Sequence, residues 1–321
     1  MNCQPPRPRP SLKAALIVQL TALLLPGCWR HSSAPDAPQP ERGESLHQGQ
    51  SMGSRWSLRA SALKPEHCAL LQQLFDEREA QWSVWRQDSE ISRFNANPSL
   101  QWQPVSKPLL QAVMLARQIS LQTKGALDVT LGAAIAKAGF APPWNLPPPP
   151  LVQGWQHLQW RESPPALRKR HPNLRLNVNA VAEGLALDEA AALLRAQGLQ
   201  DFLLELGGEV IASGLNAQGQ AWQVGIQDPG GEVGAIMQQL PLSNQALATS
   251  GSYRQRNAAG PHLLDPSNGQ PITHALTSVS VLHPRCALAD AYATALMILG
   301  PQQGREVARQ LGLRVFWIQA Q

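Results

Sequence analysis

Residues 182–213 read AEGLALDEAAALLRAQGLQDFLLELGGEVIAS, and this stretch decides the fold class. Residues 182–197 are rich in Ala and Leu and predict a helix that ends at Gly198. Residues 201–213 predict strand, with Gly207-Gly208 marking either a strand end at a tight turn or a bulge. Working outward, strands are predicted at 221–227, 235–242, 277–283 and 313–318, and helices at 287–299 and 302–311. Toward the N-terminus, Trp56 and Leu58 alternate with polar neighbours in a strand region opening at Ser45. Pro65 opens a helix to about Trp82, with Leu70, Leu71, Leu74 and Phe75 on one face. A second helix, 106–123, carries Leu109, Val113, Ala116 and Ile119. Pro142 to Pro150 holds six prolines in nine positions and predicts an exposed loop. Strands with irregularly interspersed helices imply an α+β fold, with mixed or antiparallel sheets and packed helices, rather than a doubly wound parallel sheet.

The chain has 321 residues, 43% of them hydrophobic, which is enough for a sizeable core. Its net charge is +5, but Arg7, Arg9 and Lys13 supply three of those charges, and residues 28–321 carry +2. With no dense basic patch, the composition argues against nucleic-acid binding. The three N-terminal cations precede an apolar run, Ala14 to Leu25, too short to span a bilayer, and the run ends in Leu25-Pro26-Gly27-Cys28. This pattern resembles a bacterial lipoprotein signal, with residues 1–27 removed and Cys28 lipidated. The expected location is therefore the periplasmic side of a membrane in a Gram-negative-type cell. Residues 28–44, rich in Pro, Ser and Ala, predict a tether, which leaves 45–321 as the folded domain. Cys3 leaves with the signal. Cys68 and Cys286 remain, open to pairing or to burial as free thiols.

Several short segments carry chemistry. Asp290 and Thr294 lie four apart on a predicted helix and so share a side. A carboxylate and a hydroxyl together suit Mg2+, which takes few protein oxygens and fills the remainder with water and phosphate. The structural alternative is a Thr bonded back to a helix carbonyl and an Asp near a helix start. Asn177 to Gly184 (NVNAVAEG) places small residues at a helix entrance, which favours a phosphate or, more simply, N-capping by Asn179. Leu206-Gly207-Gly208-Glu209, Thr249 to Tyr253 (TSGSY) and His262 to Pro266 (HLLDP) are turn-like.

Taken in order, these pieces resemble the ApbE family, the FAD:protein FMN transferases. The resemblance runs from Met52-Gly53-Ser54 almost to Gly300. It includes Ser83 to Asn95 (SVWRQDSEISRFN), Gly125 to Gly132 (GALDVTLG), Asn177 to Asp188, Gly207 to Glu209, Thr249 to Tyr253, His262 to Gly269 and Ala289 to Gly300 (ADAYATALMILG). It implies an ApbE-like, T-fold-related architecture. It also implies Mg2+ held by the side chains of Asp290 and Thr294 and the carbonyl of Ala180. FAD is implied as substrate, lined by Met52, Trp85, Ala126, Leu127, Asp128, Asn177, Glu183 and Leu263, with His262 implicated in catalysis. Two positions depart from the family pattern. Many relatives have Asp at position 177 and Lys at 183, where this chain has Asn and Glu; an acidic residue cannot pair with a pyrophosphate.

The implied reaction is attack by a Thr or Ser hydroxyl of an acceptor protein on the FMN-side phosphorus of FAD, with loss of AMP. The acceptor class in relatives is a subunit of membrane redox complexes. Trp85 is expected either to offer an aromatic face to FAD or to pack in the core. The alternatives are an FAD pyrophosphatase, in which water is the nucleophile, and a non-catalytic flavin-binding lipoprotein.

Overall fold

The structure is a computed structural model that describes residues 43–143, 154–232 and 234–319. The signal, most of the tether, Cys28 and positions 144–150 of the Pro-rich loop lie outside the described residues. The described residues fall within one compact unit, 37–321. Among them no helix is long and apolar enough to cross a membrane.

The centre is a seven-stranded antiparallel sheet in the order β1-β2-β6-β7-β10-β15-β16. Strands β1 (Ser45–Ser51) and β2 (Ser54–Ala60) form a hairpin. Its two-residue turn has Met52 at φ 53° and Gly53 at φ 70°, the backbone that follows the right-handed twist of a hairpin. Next come β6 (Phe202–Leu206) and β7 (Glu209–Ser213), so the predicted strand 201–213 is two strands turning at Gly207-Gly208. The remaining members are β10 (Gln245–Gly251), β15 (Leu276–His283) and β16 (Arg314–Gln319).

Helices cover one face of this sheet. In chain order the helices are α1 (Pro65–Trp82), which packs on the sheet, α2 (Glu90–Ala96) and α3 (Lys107–Gln122), the last capped by the Ser106 hydroxyl accepting from Leu109 N at 3.3 Å. Helix α4 is Gly132–Lys137 and α5 is Asn179–Ala196. Helix α6 spans Cys286–Gln310 and merges the two helices predicted there, with a break where Gly300 takes φ 75° before Pro301. Pro cannot continue the ladder behind it, and Gly alone takes that φ readily. The other sheet face is covered by a hairpin of β8 (Trp222–Gln227) and β9 (Ile236–Leu242). Trp222, Val224, Ile226 and Leu240 pack there on Ala212, Leu247, Leu282 and Ile318. Neighbouring residues of the same strands, Ile211, Ala246, Ala248, Val279 and Val281, face the helices, which is the two-sided burial of a sandwiched sheet.

A three-stranded sheet, β3 (Gln103–Pro104), β5 (Pro165–Lys169) and β4 (Leu158–Glu162), stands apart from the main one. Short ladders β11 (Arg256–Asn257) with β12 (Gly260–Pro261), and β13 (Leu264–Asp265) with β14 (Gln270–Pro271), form the segment after β10. Cys68 and Cys286 are both buried free thiols, which closes the question of their pairing.

Candidate active site

The site is assembled where α5 and α6 cross. Gly184 lies at the crossing: a Cβ there would sit 2.7 Å from the Ala287 Cα and the Cys286 carbonyl, and 2.8 Å from the Asp290 Cβ. Only a residue without a side chain permits this approach. It brings the Gly184 N–H within 3.1 Å of Asp290 Oδ2, to which it donates. Asp188, one turn further on, accepts from Cys286 N at 2.7 Å and Ala287 N at 3.3 Å, so α6 is capped by a side chain of α5. Helix crossing and carboxylate position are thus set by one interface.

Asp290 and Thr294 are 7% and 8% exposed. The Thr294 hydroxyl is 3.0 Å from the Ser250 hydroxyl at the end of β10, so it bonds across to the strand. The back-bond to a helix carbonyl is therefore not the arrangement of Thr294. Around Asp290 lie two half-buried carboxylates, Glu183 and Glu209. Burial pushes Glu183 up to about 7, partly offset by a backbone N–H. Burial and then the charge of Glu183 push Glu209 up to about 8, with Arg254 acting in the opposite direction. Asp290 is held well above the usual carboxylate range by burial and then by Glu209 and Glu183. Among the described residues no three His, Cys, Asp or Glu side chains converge into a metal cage. The all-oxygen donor set and the crowding of like charge fit a cation at Asp290.

The remaining segments are tied to this crossing by short bonds. The Asn177 side chain accepts from Asn179 N at 3.0 Å and so supports the helix entrance. The helix begins three residues earlier than the predicted 182, and Ala180 lies in its first turn, half-buried. Asn177 N donates to Val129 O at 2.7 Å, which joins the entrance to the 125–132 segment. Asn95 pairs both ways with Leu176, accepting from its N–H at 2.7 Å and donating to its carbonyl at 2.8 Å. The buried Lys169 holds the carbonyls of Asn95 and Asn97 at 3.2 and 2.8 Å. Gly207 N donates to Arg55 O at 3.1 Å, and a Cβ on Gly207 would lie 3.3 Å from Ser54 Oγ and 3.6 Å from Glu183 Cγ. Met52, at its left-handed φ, is held by its N–H donating to Glu79 Oε2 at 2.9 Å.

The other residues singled out from sequence have mixed placements. Ala126, Leu127 and Leu263 are buried. Asp128 is buried and committed locally, accepting from Thr130 N at 2.8 Å, Thr130 Oγ1 at 2.6 Å and Gly154 N at 2.9 Å. Trp85 is 44% exposed, so it does not pack in the core. His262 is half-buried beside Phe140, with ring centroids 6.1 Å apart. Its Nδ1 lies 3.3 Å from the Gln255 carbonyl. A carbonyl only accepts, so Nδ1 carries the proton and Nε2 keeps its lone pair. His274 differs: Nε2 donates to Met297 O at 2.8 Å and Nδ1 accepts from Leu276 N at 3.3 Å, which leaves no basic nitrogen. Burial lowers the His262 pKa, so its neutral form is the one present at pH 7. The turn after His262 packs on the 125–140 region through Leu264 with Leu131 and Ala134.

Sequence reading missed Glu209 and Ser250 as site residues, although both stood in quoted motifs. It also missed Arg254, Asn95 and the capping role of Asp188, whose partners are distant in sequence.

A model of the ApbE family matches residues 52–317. A protein of Salmonella typhimurium named FAD:protein FMN transferase is 34% identical over 92% of this chain and 89% of its own length. One of Escherichia coli K12 with the same name is 32% identical over 92% and 90%. The solved flavin transferase ApbE of Vibrio cholerae superposes with a TM-score of 0.77 at 31% identity, covering 87% of this chain and 94% of that one.

Proposed function

We infer the function from the premise that this chain belongs to the ApbE family: it is an FAD:protein FMN transferase, which uses FAD as substrate and places FMN on an acceptor protein. The observation that carries the reading is the α5–α6 crossing, where Gly184 N meets Asp290 Oδ2 and Thr294 meets Ser250.

The finer mechanism is our proposal. Asp290, Thr294 and the Ala180 carbonyl would hold Mg2+, which when bound neutralises pyrophosphate charge. Asn177, Glu183, Met52, Trp85, Leu263 and the 126–128 segment would line the FAD site. Glu183 stays beside Glu209 and Asp290, so its role is toward a donor on FAD or toward the cation, and not toward phosphate. His262 Nε2 would take the proton from the acceptor Ser or Thr hydroxyl as that oxygen bonds to the FMN-side phosphorus. The bond from that phosphorus to the AMP phosphate oxygen breaks, and AMP leaves with the electron pair. The lipidated Cys28, the 28–44 tether and a periplasmic position are proposed on the sequence pattern of residues 1–28. The acceptor would be a membrane redox-complex subunit.

The test is incubation with FAD, Mg2+ and a co-expressed acceptor domain, followed by intact mass spectrometry. An FMN adduct on the acceptor with equimolar AMP is expected. Free FMN and AMP without any adduct would replace transfer by hydrolysis.

A further inference from the structure

We propose that a halide-sized anion binds in a small cavity between α3 and β4, held by Arg117, Ser120 and Trp155. The cavity has about 10 Å³ of free volume, and its apolar wall includes Leu127, Val129 and Trp160. That is room for one guest of roughly water's size.

The polar atoms around it are donors without acceptors. Ser120 is 1% exposed, and its Oγ has no hydrogen-bond partner. The Trp155 Nε1 is buried and likewise has none. An indole nitrogen can only donate. The Arg117 guanidinium lies 4.5 Å from the Trp160 ring centroid and 5.5 Å from that of Trp155. The ion pairs among the described residues use Arg78, Arg86, Arg285 and Arg309, so no carboxylate there answers Arg117.

Buried polar groups are nearly always satisfied, so two orphaned donors beside one cation call for a guest. Water fits the volume but brings two donors of its own, and of the three polar side chains only the Ser120 hydroxyl can accept. A monatomic anion brings acceptor capacity on every side together with the missing charge. Phosphate and carboxylate ligands are too large for the volume. The site borders a functional segment: Leu127 lines the cavity, and Gly154, next to Trp155, donates to Asp128 at 2.9 Å. The anion therefore fastens Trp155 to α3 beside residues 126–128.

Full-length protein crystals soaked in sodium bromide test this by anomalous scattering at the bromine edge. A bromine peak within hydrogen-bonding reach of Ser120 Oγ and Trp155 Nε1 is expected. In solution, bromide should raise the melting midpoint over gluconate at equal ionic strength. Arg117→Met should weaken the apparent bromide affinity about tenfold, as loss of one charge-assisted hydrogen bond does. If that variant does not fold, Ser120→Ala, which removes only the orphaned hydroxyl, must still weaken it. A water without anomalous signal in the cavity, or halide dependence unchanged in the folded variant, overturns the proposal.

Discussion

The helix-crossing side of the site and the histidine side are built in opposite ways. At the crossing, regular helices meet through Gly184, and each polar group has a fixed partner: Asp290 with Gly184, Thr294 with Ser250, Asp188 with the first amides of α6. On the histidine side, His262 sits between the two-residue ladders β11–β12 and β13–β14, and Gln255 takes both its backbone N–H and its ring Nδ1. Arg254 to Ala259 are exposed. The difference teaches a division of labour. Crowded negative charge must be held rigidly because every ångström costs electrostatic energy, whereas the general base we propose in His262 must stay approachable by a hydroxyl on another protein.

The hardest blow to the comparison is Asp290→Asn. Transfer should fall at least about a thousandfold, because the charge proposed to hold the cation is gone. The same change removes one of three mutually repelling carboxylates, so the metal-free variant should melt no lower than the wild type. Loss of activity accompanied by a lower melting midpoint would mean that Asp290 is structural. His262→Gln attacks the other side. A drop of about 10²–10⁴-fold in single-turnover transfer is expected, with the FAD dissociation constant unchanged. Burial keeps His262 below its ordinary value of 6.5, so the acid limb of the wild-type rate should fall as pH drops through a value below 6.5 and be absent in the variant.

Gly184→Ala sharpens the claim of rigidity. The added methyl meets the α6 backbone at 2.7 Å, and overpacking of this kind costs about 1–3 kcal/mol. Denaturant midpoints should register that loss, and FAD turnover should fall with it because Asp290 is displaced. Gly230→Ala, where a Cβ would meet only Asp228 Oδ1 at 3.7 Å, is the control for space alone.

The carboxylate cluster also sets a pH dependence. Glu183 and Glu209 rise from an unfolded value near 4.5 to about 7 and about 8 in the fold. The folded state then binds more protons between those values. Metal-free protein should therefore be most stable below about pH 4.5 as far as these groups are concerned, and lose that stability as pH rises through 7 to 8. Added Mg2+ should restore the melting midpoint at pH 8 more than at pH 6, because cation binding is favoured once the carboxylates ionise. An equal Mg2+ shift at both values would break the link between the cluster and the metal.

How far these two sides could be seen in the sequence follows from their construction. The crossing was legible because helices repeat: Asp290 and Thr294 share a face by spacing alone, and the Ala-rich run announces α5. Its start was misplaced by three residues because the N-cap is Val178, which has no side-chain cap, rather than Asn179, and the entrance is held by Asn177 from outside the regular pattern. Strand β10 went unread although it is central to the sheet. Gln245–Gly251 (QALATSG) lacks β-branched bulk apart from Thr249 and is buried at Ala246, Leu247 and Ala248 in succession, so no alternation appears. The β4–β5 hairpin also went unread, because Pro165 opens β5 and proline is a poor strand signal. The Asn95–Leu176 clamp joins residues 81 apart in sequence, and nothing local to either could show it.

Ser250 is where the smallest effect carries the most discrimination. Its hydroxyl is 3.0 Å from that of Thr294, and its neighbour Thr249 is engaged 2.7 Å from Ser280. If Thr294 is a cation ligand, Ser250 only aims it. Ser250→Ala should then raise the Mg2+ concentration for half-maximal rate about 3- to 10-fold, as one lost neutral hydrogen bond does, with the saturating rate within about twofold. Thr249→Ala, on the same strand but bonded to β15, should leave the Mg2+ requirement alone. Were both variants to shift the Mg2+ curve equally, the effect would belong to strand β10 as a whole. The division between a rigid charge-binding helix pair and a loosely held base would then have to be redrawn to include the strand.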